Sequence, residues 1–348
     1  MGSIYELSKE ETESTKIESI DLFKNLKSKY IIKKLFKNLM KKKVLKIIKY
    51  NKNIRNKMNI SIKDYKEYSE IYSSIEIELK PANYKYGQFI NINKEDEIYY
   101  HIYFNNKKTK IKRNYLNESE NVEKIKIIID YQIKSLERLF KDCECVEYIC
   151  FKHFYRNTIN NMRFMFFGCS FLKELNLSNF NTSNVTDMES MFNGCSSLKE
   201  LNFSNFNTNN VTNIRFMFSQ CSSLTKLNLS NFSTNKVTYM DAMFWGCSSL
   251  KELNLSNFNT HNVNNMDYMF YQCYELKELN LSNFNTNKVT SMEYMFSQCS
   301  TLKELNLSNF NTHNVKFMRN MFSGCSNQFQ NKIKAQYKNI KDYAFDNY

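Results

Sequence analysis

Cysteine recurs at one fixed interval, at Cys169, Cys195, Cys221, Cys247, Cys273, Cys299 and Cys325, and the first six are followed by one phrase. Its clearest copy runs Leu172–Lys173–Glu174–Leu175–Asn176–Leu177–Ser178–Asn179–Phe180, then Val185, Met188, Met191 and Phe192. The phrase restarts at Leu198, Leu224, Leu250, Leu276 and Leu302. Six near-identical copies cannot arise from composition. A unit this short cannot bury its own apolar face, so stacked neighbours must bury it.

The register extends upstream. Cys143, preceded by Leu139–Phe140 and followed by Val146, Ile149, Phe151 and Phe154, matches the later copies, so a degenerate first coil starts near residue 133. Leu175 and Leu177 alternate with Glu174, Asn176 and Ser178, which predicts a short strand with leucines inward. Met188, Met191, Phe192 and Cys195 are spaced by three and four, which predicts a short helix N-capped by Thr186 or Asn184. A 20–29-residue period with an L-x-x-L-x-L core marks a leucine-rich-repeat array. The expected fold is an α/β solenoid. It is a leucine-rich-repeat right-handed superhelix of about eight 26-residue coils, preceded by a helical and small β region. At about 4.8 Å per strand, eight coils span roughly 40 Å.

The phrase resembles the BspA-like leucine-rich-repeat family, in which L-x-x-L-x-L-S-x-F-x-T-x-x-V-x-x-M-x-x-M-F-x-x-C recurs. The likeness covers residues 133–326. It implies a non-enzymatic curved solenoid, of a kind found on bacterial surfaces and in large protist families. The strand aspartates of that family are asparagines here, so no acidic column carries over.

Charge is concentrated at one end. Residues 16–66 hold sixteen lysines and Arg55 against Glu18, Asp21 and Asp64, which accounts for the whole net charge of +14. Residues 1–19 read as a flexible polar tail and 20–70 as a basic helical segment. Within it, the stretch from Tyr30 to Lys49 is similar to an F-box, without that family's leading Leu-Pro. The likeness implies docking of a ubiquitin-ligase adaptor through residues 28–52. Residues 71–130 switch to β patterning, with Ile75, Ile77 and Leu79 alternating and a hairpin expected around Asn105–Asn106. They form a small β-rich subdomain or N-terminal cap. The solenoid proper occupies 131–326, and 327–348 read as a C-terminal cap helix.

No apolar run reaches the length of about 18 residues from which a membrane-spanning helix is read, so no transmembrane segment is expected. The N-terminus is polar and acidic, unlike a signal peptide. Repeated Asn-Leu-Ser sequons from Asn176 to Asn306 would place glycans about every 5 Å on one sheet in a eukaryotic secretory pathway, which is sterically impossible. With an unpaired cysteine column, this points to the cytoplasm; a bacterial surface stays compatible. The column cysteines read as buried thiols acting as small hydrophobes. Cys145 and Cys150 lie off it, and Cys150 takes an outward strand position, either exposed or covered by the preceding unit.

Catalytic signatures are absent: there is no glycine-rich phosphate loop, G-x-S-x-G or H-E-x-x-H. His261 and His313 stand two coils apart, too far to share a metal. The glutamate column on the strands is flanked by a lysine column and reads as a solvated edge. No enzyme, cofactor or metal site is expected. The expected function is a protein–protein interaction module, with a ubiquitin-ligase substrate receptor and a BspA-like surface adhesin as alternatives. Nucleic acid or anionic membrane is a less favoured partner of residues 16–66. The strand face is nearly uniform along the array. The outward positions beside the Met–Phe–Cys positions vary, and Phe216, Trp245, Tyr268, Tyr271 and Tyr294 are the candidate partner-binding patch.

Overall fold

The structure, a computed structural model, describes residues 70–346 together with Lys52 and Asn56. Otherwise the expectations for the tail (1–19), the basic segment (20–70) and the F-box-like stretch (28–52) lie outside the described residues. The chain divides into two units, Met1–Ser73 and Ser74–Tyr348, and the repeats belong to the second.

That unit opens with a five-stranded sheet. Strands β1 (Ile75–Pro81), β3 (Tyr100–Phe104) and β5 (Ile125–Ile129) join β6 (Val146–His153) and β7 (Glu174–Asn176) in the order β3-β5-β1-β6-β7. β2 (Gly87–Gln88) and β4 (Tyr115–Leu116) form a separate two-residue pair. Period-two patterning explains β1. Ile75, Ile77 and Leu79 are fully buried, while Glu76 and Glu78 on the other face pair with Lys126 and Lys124 at 2.8 Å. β6 is the strand of the first coil and the junction of the sheet. It pairs antiparallel with β1 on one side and parallel with β7 on the other. Cys150 is therefore covered rather than exposed, pairing in register with Glu78 and Asn176. The expected hairpin shrinks to a left-handed turn at Asn105–Asn106 and a single bridge from Ile111 to Ile102. Lys108, Lys110 and Lys112 leave only Ile111 to bury there, and the isoleucine-rich β5 pairs with β3 instead.

Each coil then has a strand side and a turn side. The strands β8 (Glu200–Asn202), β9 (Lys226–Asn228), β10 (Glu278–Asn280) and β11 (Glu304–Asn306) pair in parallel as β8 with β9 and β10 with β11. Glu252–Asn254, the equivalent stretch between β9 and β10, is not a regular strand.

On the other side the expected helix does not form, which corrects the α/β expectation. Met188, Ser190, Phe192 and Gly194 donate their N–H groups to the carbonyls of Asn213, Arg215, Met217 and Ser219 in the next coil, at 2.8–3.0 Å. The pattern repeats from Leu136 to Gln298, with the exception of Met240. Bonds of the i+3 type, such as Met191 to Met188 and Cys195 to Phe192, close tight turns within the coil. Ser190 (φ 53°) and Gly194 (φ 77°) take the left-handed region, as do their equivalents in the other coils. Stacked turns place residues three and four apart on the inner side just as a helix does. Their free N–H groups, however, point along the stack, where the next coil accepts them.

Side chains reinforce the stack. Phe140, Phe166, Phe192, Phe218, Phe244, Phe270, Phe296 and Phe322 form one column of rings, nearly parallel at 5.4–5.8 Å. Each column cysteine from Cys169 to Cys325 donates its S–H to a phenylalanine carbonyl of the preceding coil, at 2.9–3.3 Å. Asparagines stitch the exposed turns. Asn210 Nδ2 donates to the Ser183 carbonyl and Asn262 Nδ2 to that of Asn235, at 2.9 and 3.0 Å. Thr182 Oγ1 donates to the Asn207 carbonyl and accepts from its N–H.

Both ends of the stack are closed. Asn91 donates its N–H to the Leu139 carbonyl and its side-chain amide to those of Arg138 and Lys141. At the far end α1 (Asn327–Gln336), N-capped by Ser326, buries Phe329 and Ile333. Phe345 stacks on Phe322 at 5.1 Å, extending the ring column.

All ten cysteines are buried and unbridged. Burial pushes the thiols of Cys221 and Cys325 up to about 12 and that of Cys145 to about 11. Since an unfolded thiol titrates near about 8.5, the folded state holds these protons more tightly. Stability from this source is intact below that pH and is lost as pH rises toward the folded values. Native labelling at neutral pH is expected to reach none of the ten thiols, and denaturation to expose all ten. Rapid native labelling of Cys221 or Cys247 would contradict the packing.

Candidate functional site

Two columns flank the inner Met–Phe–Cys core on the turn side, and they do not face outward throughout as expected. Their aromatic members are half-buried, whereas Ser190, Ala242, Asn320, Ser219, Ser297 and Ser323 are buried between neighbouring coils. The first holds Phe164, Ser190, Phe216, Ala242, Tyr268, Tyr294 and Asn320, all at φ of 53–57°. For residues other than glycine this conformation costs roughly 1–2 kcal/mol. The N–H bond that each of them donates to the next coil or to the C-terminal cap holds the backbone there. The second column holds Phe167, Asn193, Ser219, Trp245, Tyr271, Ser297 and Ser323.

The five residues expected to form the patch are brought into one cluster. Trp245 lies 6.2 Å from Phe216, 5.8 Å from Tyr268 and 5.9 Å from Tyr271, measured between ring centroids. Tyr268 stacks on Tyr294 at 4.8 Å, and Tyr271 meets both edge-on at 5.6 and 6.3 Å. All five are half-buried. The rings neither stand free in solvent nor sink into the methionine layer. Trp245 Nε1 is buried without a hydrogen-bond acceptor, so ring packing holds the indole.

Reading the columns from Ser190 onward missed Phe164 and Phe167, one coil earlier, which meet edge-on at 5.7 Å. Extending the register back by one repeat from Ser190 and Asn193 finds them. It also missed the charged column beside the rings, which runs Arg163, Glu189, Arg215, Asp241, Asp267, Glu293, Arg319. Arg163 pairs with Glu189 at 3.1 Å and Arg215 with Asp241 at 2.9 Å. Asp267 accepts from the Ser291 hydroxyl and the Glu293 N–H. Burial raises the Asp241 carboxyl against the pull of Arg215. Burial and then Asp267 raise Glu293 against the pull of Arg319. The Tyr268 hydroxyl is raised by burial first, then by the charges of its neighbours Tyr294, Glu293, Asp267 and Tyr271.

The strand face offers two shallow depressions, of about 870 and 1240 Å³, lined by the repeating Glu, Leu, Asn and Ser positions. Their asparagines accept from the N–H two residues on, as Asn176 does from Ser178. His261 and His313 are exposed turn residues. Among the described residues no group of three His, Cys, Asp or Glu side chains is placed to hold a metal ion.

A stack of 26-residue coils with capped ends and a ring cluster on one side defines a repeat scaffold. The family described as "Mycoplasma protein of unknown function, DUF285" matches residues 134–254 and 246–345, more than half of the chain, and the chain belongs to it. A crystal structure of a leucine-rich repeat protein from Bacteroides ovatus is similar at 17% identity, over 69% of this chain and 80% of that one, with a TM-score of 0.22. No curated protein matches the chain.

The ring contacts give the cluster a stabilising share. Trp245→Ala with Tyr271→Ala is expected to cost about 1–3 kcal/mol in denaturant unfolding, less than for fully buried rings. Tyr239→Ala, on an exposed ring outside the cluster, should cost under about 0.5 kcal/mol. Equal effects would mean that the five rings do not pack as a unit.

Proposed function

We propose that this protein is a non-enzymatic interaction scaffold that captures a macromolecular partner, a protein, on the turn side of its repeats. The observation that carries this reading is the continuous ring cluster from Phe216 to Tyr294, fixed on consecutive rungs of a hydrogen-bonded ladder. Half-buried aromatics on a rigid base offer large contact area at little entropic cost, which is the character of interface hot spots. The uniform Asn and Ser columns of the strand face offer little to discriminate one partner from another along the array. The resemblance to BspA-like repeats supports the same scaffold role. Among the described residues no helix is long and apolar enough to cross a membrane.

A photo-crosslinking residue at position 271, compared with one at position 254 on the strand side, tests this in the source cells. Protein adducts are expected at 271 and not at 254. Adducts at 254 alone would move the interface to the Glu–Asn–Ser face, and adducts at neither would overturn the interaction reading. Adducts dominated by a ubiquitin-ligase adaptor and requiring residues 28–52 would instead favour the substrate-receptor alternative.

A further inference from the structure

The β-rich cap holds a cavity of about 480 Å³ that takes no part in stacking the coils. Pockets of roughly 300–1,000 Å³ are of the size that accepts small molecules. Three stretches of chain enclose it. β3 supplies Tyr100 and Ile102, the 3-10 helix Lys94–Tyr99 supplies Ile98, and the segment returning after β3 supplies Ile111 between Lys110 and Lys112. Backbone bonds tie these walls together. Tyr100 donates its N–H to the Glu97 carbonyl, and Ile111 donates its own to the Ile102 carbonyl at 2.8 Å. Asn114 Nδ2 donates to the Ile90 carbonyl at 3.1 Å. The Ile111 bond also closes the middle of the β3 edge, so an added strand finds no continuous row of free backbone groups there. The space suits a compact molecule instead.

Two observations point to a ligand. Tyr100 lines the cavity at 6% exposure, and its hydroxyl has no hydrogen-bond partner among the described residues. A buried tyrosine hydroxyl usually finds one. Burial first, and then Asp96, raise this hydroxyl against the pull of Arg156, so at neutral pH it is a donor. Ile98 is 68% exposed, and it is the one aliphatic residue among the large exposed apolar side chains of the described residues.

The charge around the cavity selects the ligand's sign. Lys94, Lys110, Lys112 and Arg113 line it against a single carboxylate, Glu97. Arg113 is engaged by Glu120, whereas the three lysines form no ion pair among the described residues. An apolar floor under a cationic rim is complementary to an apolar body that carries an anionic group.

We propose that this cavity binds a small anionic amphiphile. Its aliphatic body lies on Ile98, Ile102 and Ile111, a carbonyl accepts from the Tyr100 hydroxyl, and a carboxylate is held by Lys110 and Lys112. The site belongs to the cap and is independent of the turn-side interaction reading.

N-octanoylglycine has this chain, carbonyl and carboxylate, and is titrated calorimetrically into the full chain beside its neutral amide. The carboxylate should bind saturably at one site, about five- to ten-fold more tightly than the amide, and more weakly as salt is raised. Tyr100→Phe should lose about three- to ten-fold in affinity, the share of one hydrogen bond. Lys110→Gln with Lys112→Gln should remove the preference for the carboxylate over the amide. Ile98→Glu changes a solvent-exposed position, so unfolding should stay cooperative while binding is abolished. Lys251→Gln, on the strand side, should leave binding unchanged. Absence of saturable binding, equal affinity for the two molecules, or undiminished binding by the Tyr100→Phe and Ile98→Glu proteins would overturn the proposal. Preferential binding of an anionic vesicle or an acidic peptide over the monomeric ligand would overturn it as well.

Discussion

The structure depends on the ladder of turn-side hydrogen bonds. Four N–H groups per coil, three in the coil of Met240, point along the stack and find carbonyls in the next coil. In an isolated coil these groups would have to be satisfied by water, because the tight turns leave them no partner within the coil. Stacking pairs them and buries the ring column and the methionines in the same step. The thiols extend this logic, since a small side chain that also donates to a carbonyl suits a site walled by backbone. Because each coil needs both neighbours, the ends need substitutes, which Asn91 and the Tyr343–Phe345 segment provide.

Much of this was legible in the sequence. Period, register, the degenerate first coil and the inward leucines, methionines, phenylalanines and cysteines all follow from repetition. The helix was misread because spacings of three and four are shared by helices and by consecutive i+3 turns. What separates them is the left-handed backbone at positions such as Phe216 and Tyr268, where the side chains present give no sign of it. Asparagines are abundant in every repeat, and nothing in their local spacing sets them a task. In the structure they act as long-range hydrogen-bond donors between coils, a role visible only once coils are stacked. Cys150 illustrates the limit at the array's edge, since nothing local told that β6 would be joined to β1.

The candidate surface was legible in part. Columns read at the repeat period bring Phe216, Trp245, Tyr268, Tyr271 and Tyr294 together, because the ladder converts sequence period into spatial adjacency. The charged column flanking them was not found, since it looks ordinary until stacking pairs Arg163 with Glu189 and Arg215 with Asp241. Function then follows from asymmetry within a regular object: where every coil is alike, nothing distinguishes one position, and where rings and charges depart from the pattern, a partner can be recognised.

Amide hydrogen exchange tests the central claim most directly. The ladder predicts that the N–H groups of Ile214, Phe216, Phe218 and Gln220 exchange only through global unfolding. Amides of the neighbouring strand side, around Glu200–Asn202, should exchange through smaller openings and faster. Stronger protection on the strand side than on the turn side would contradict the account.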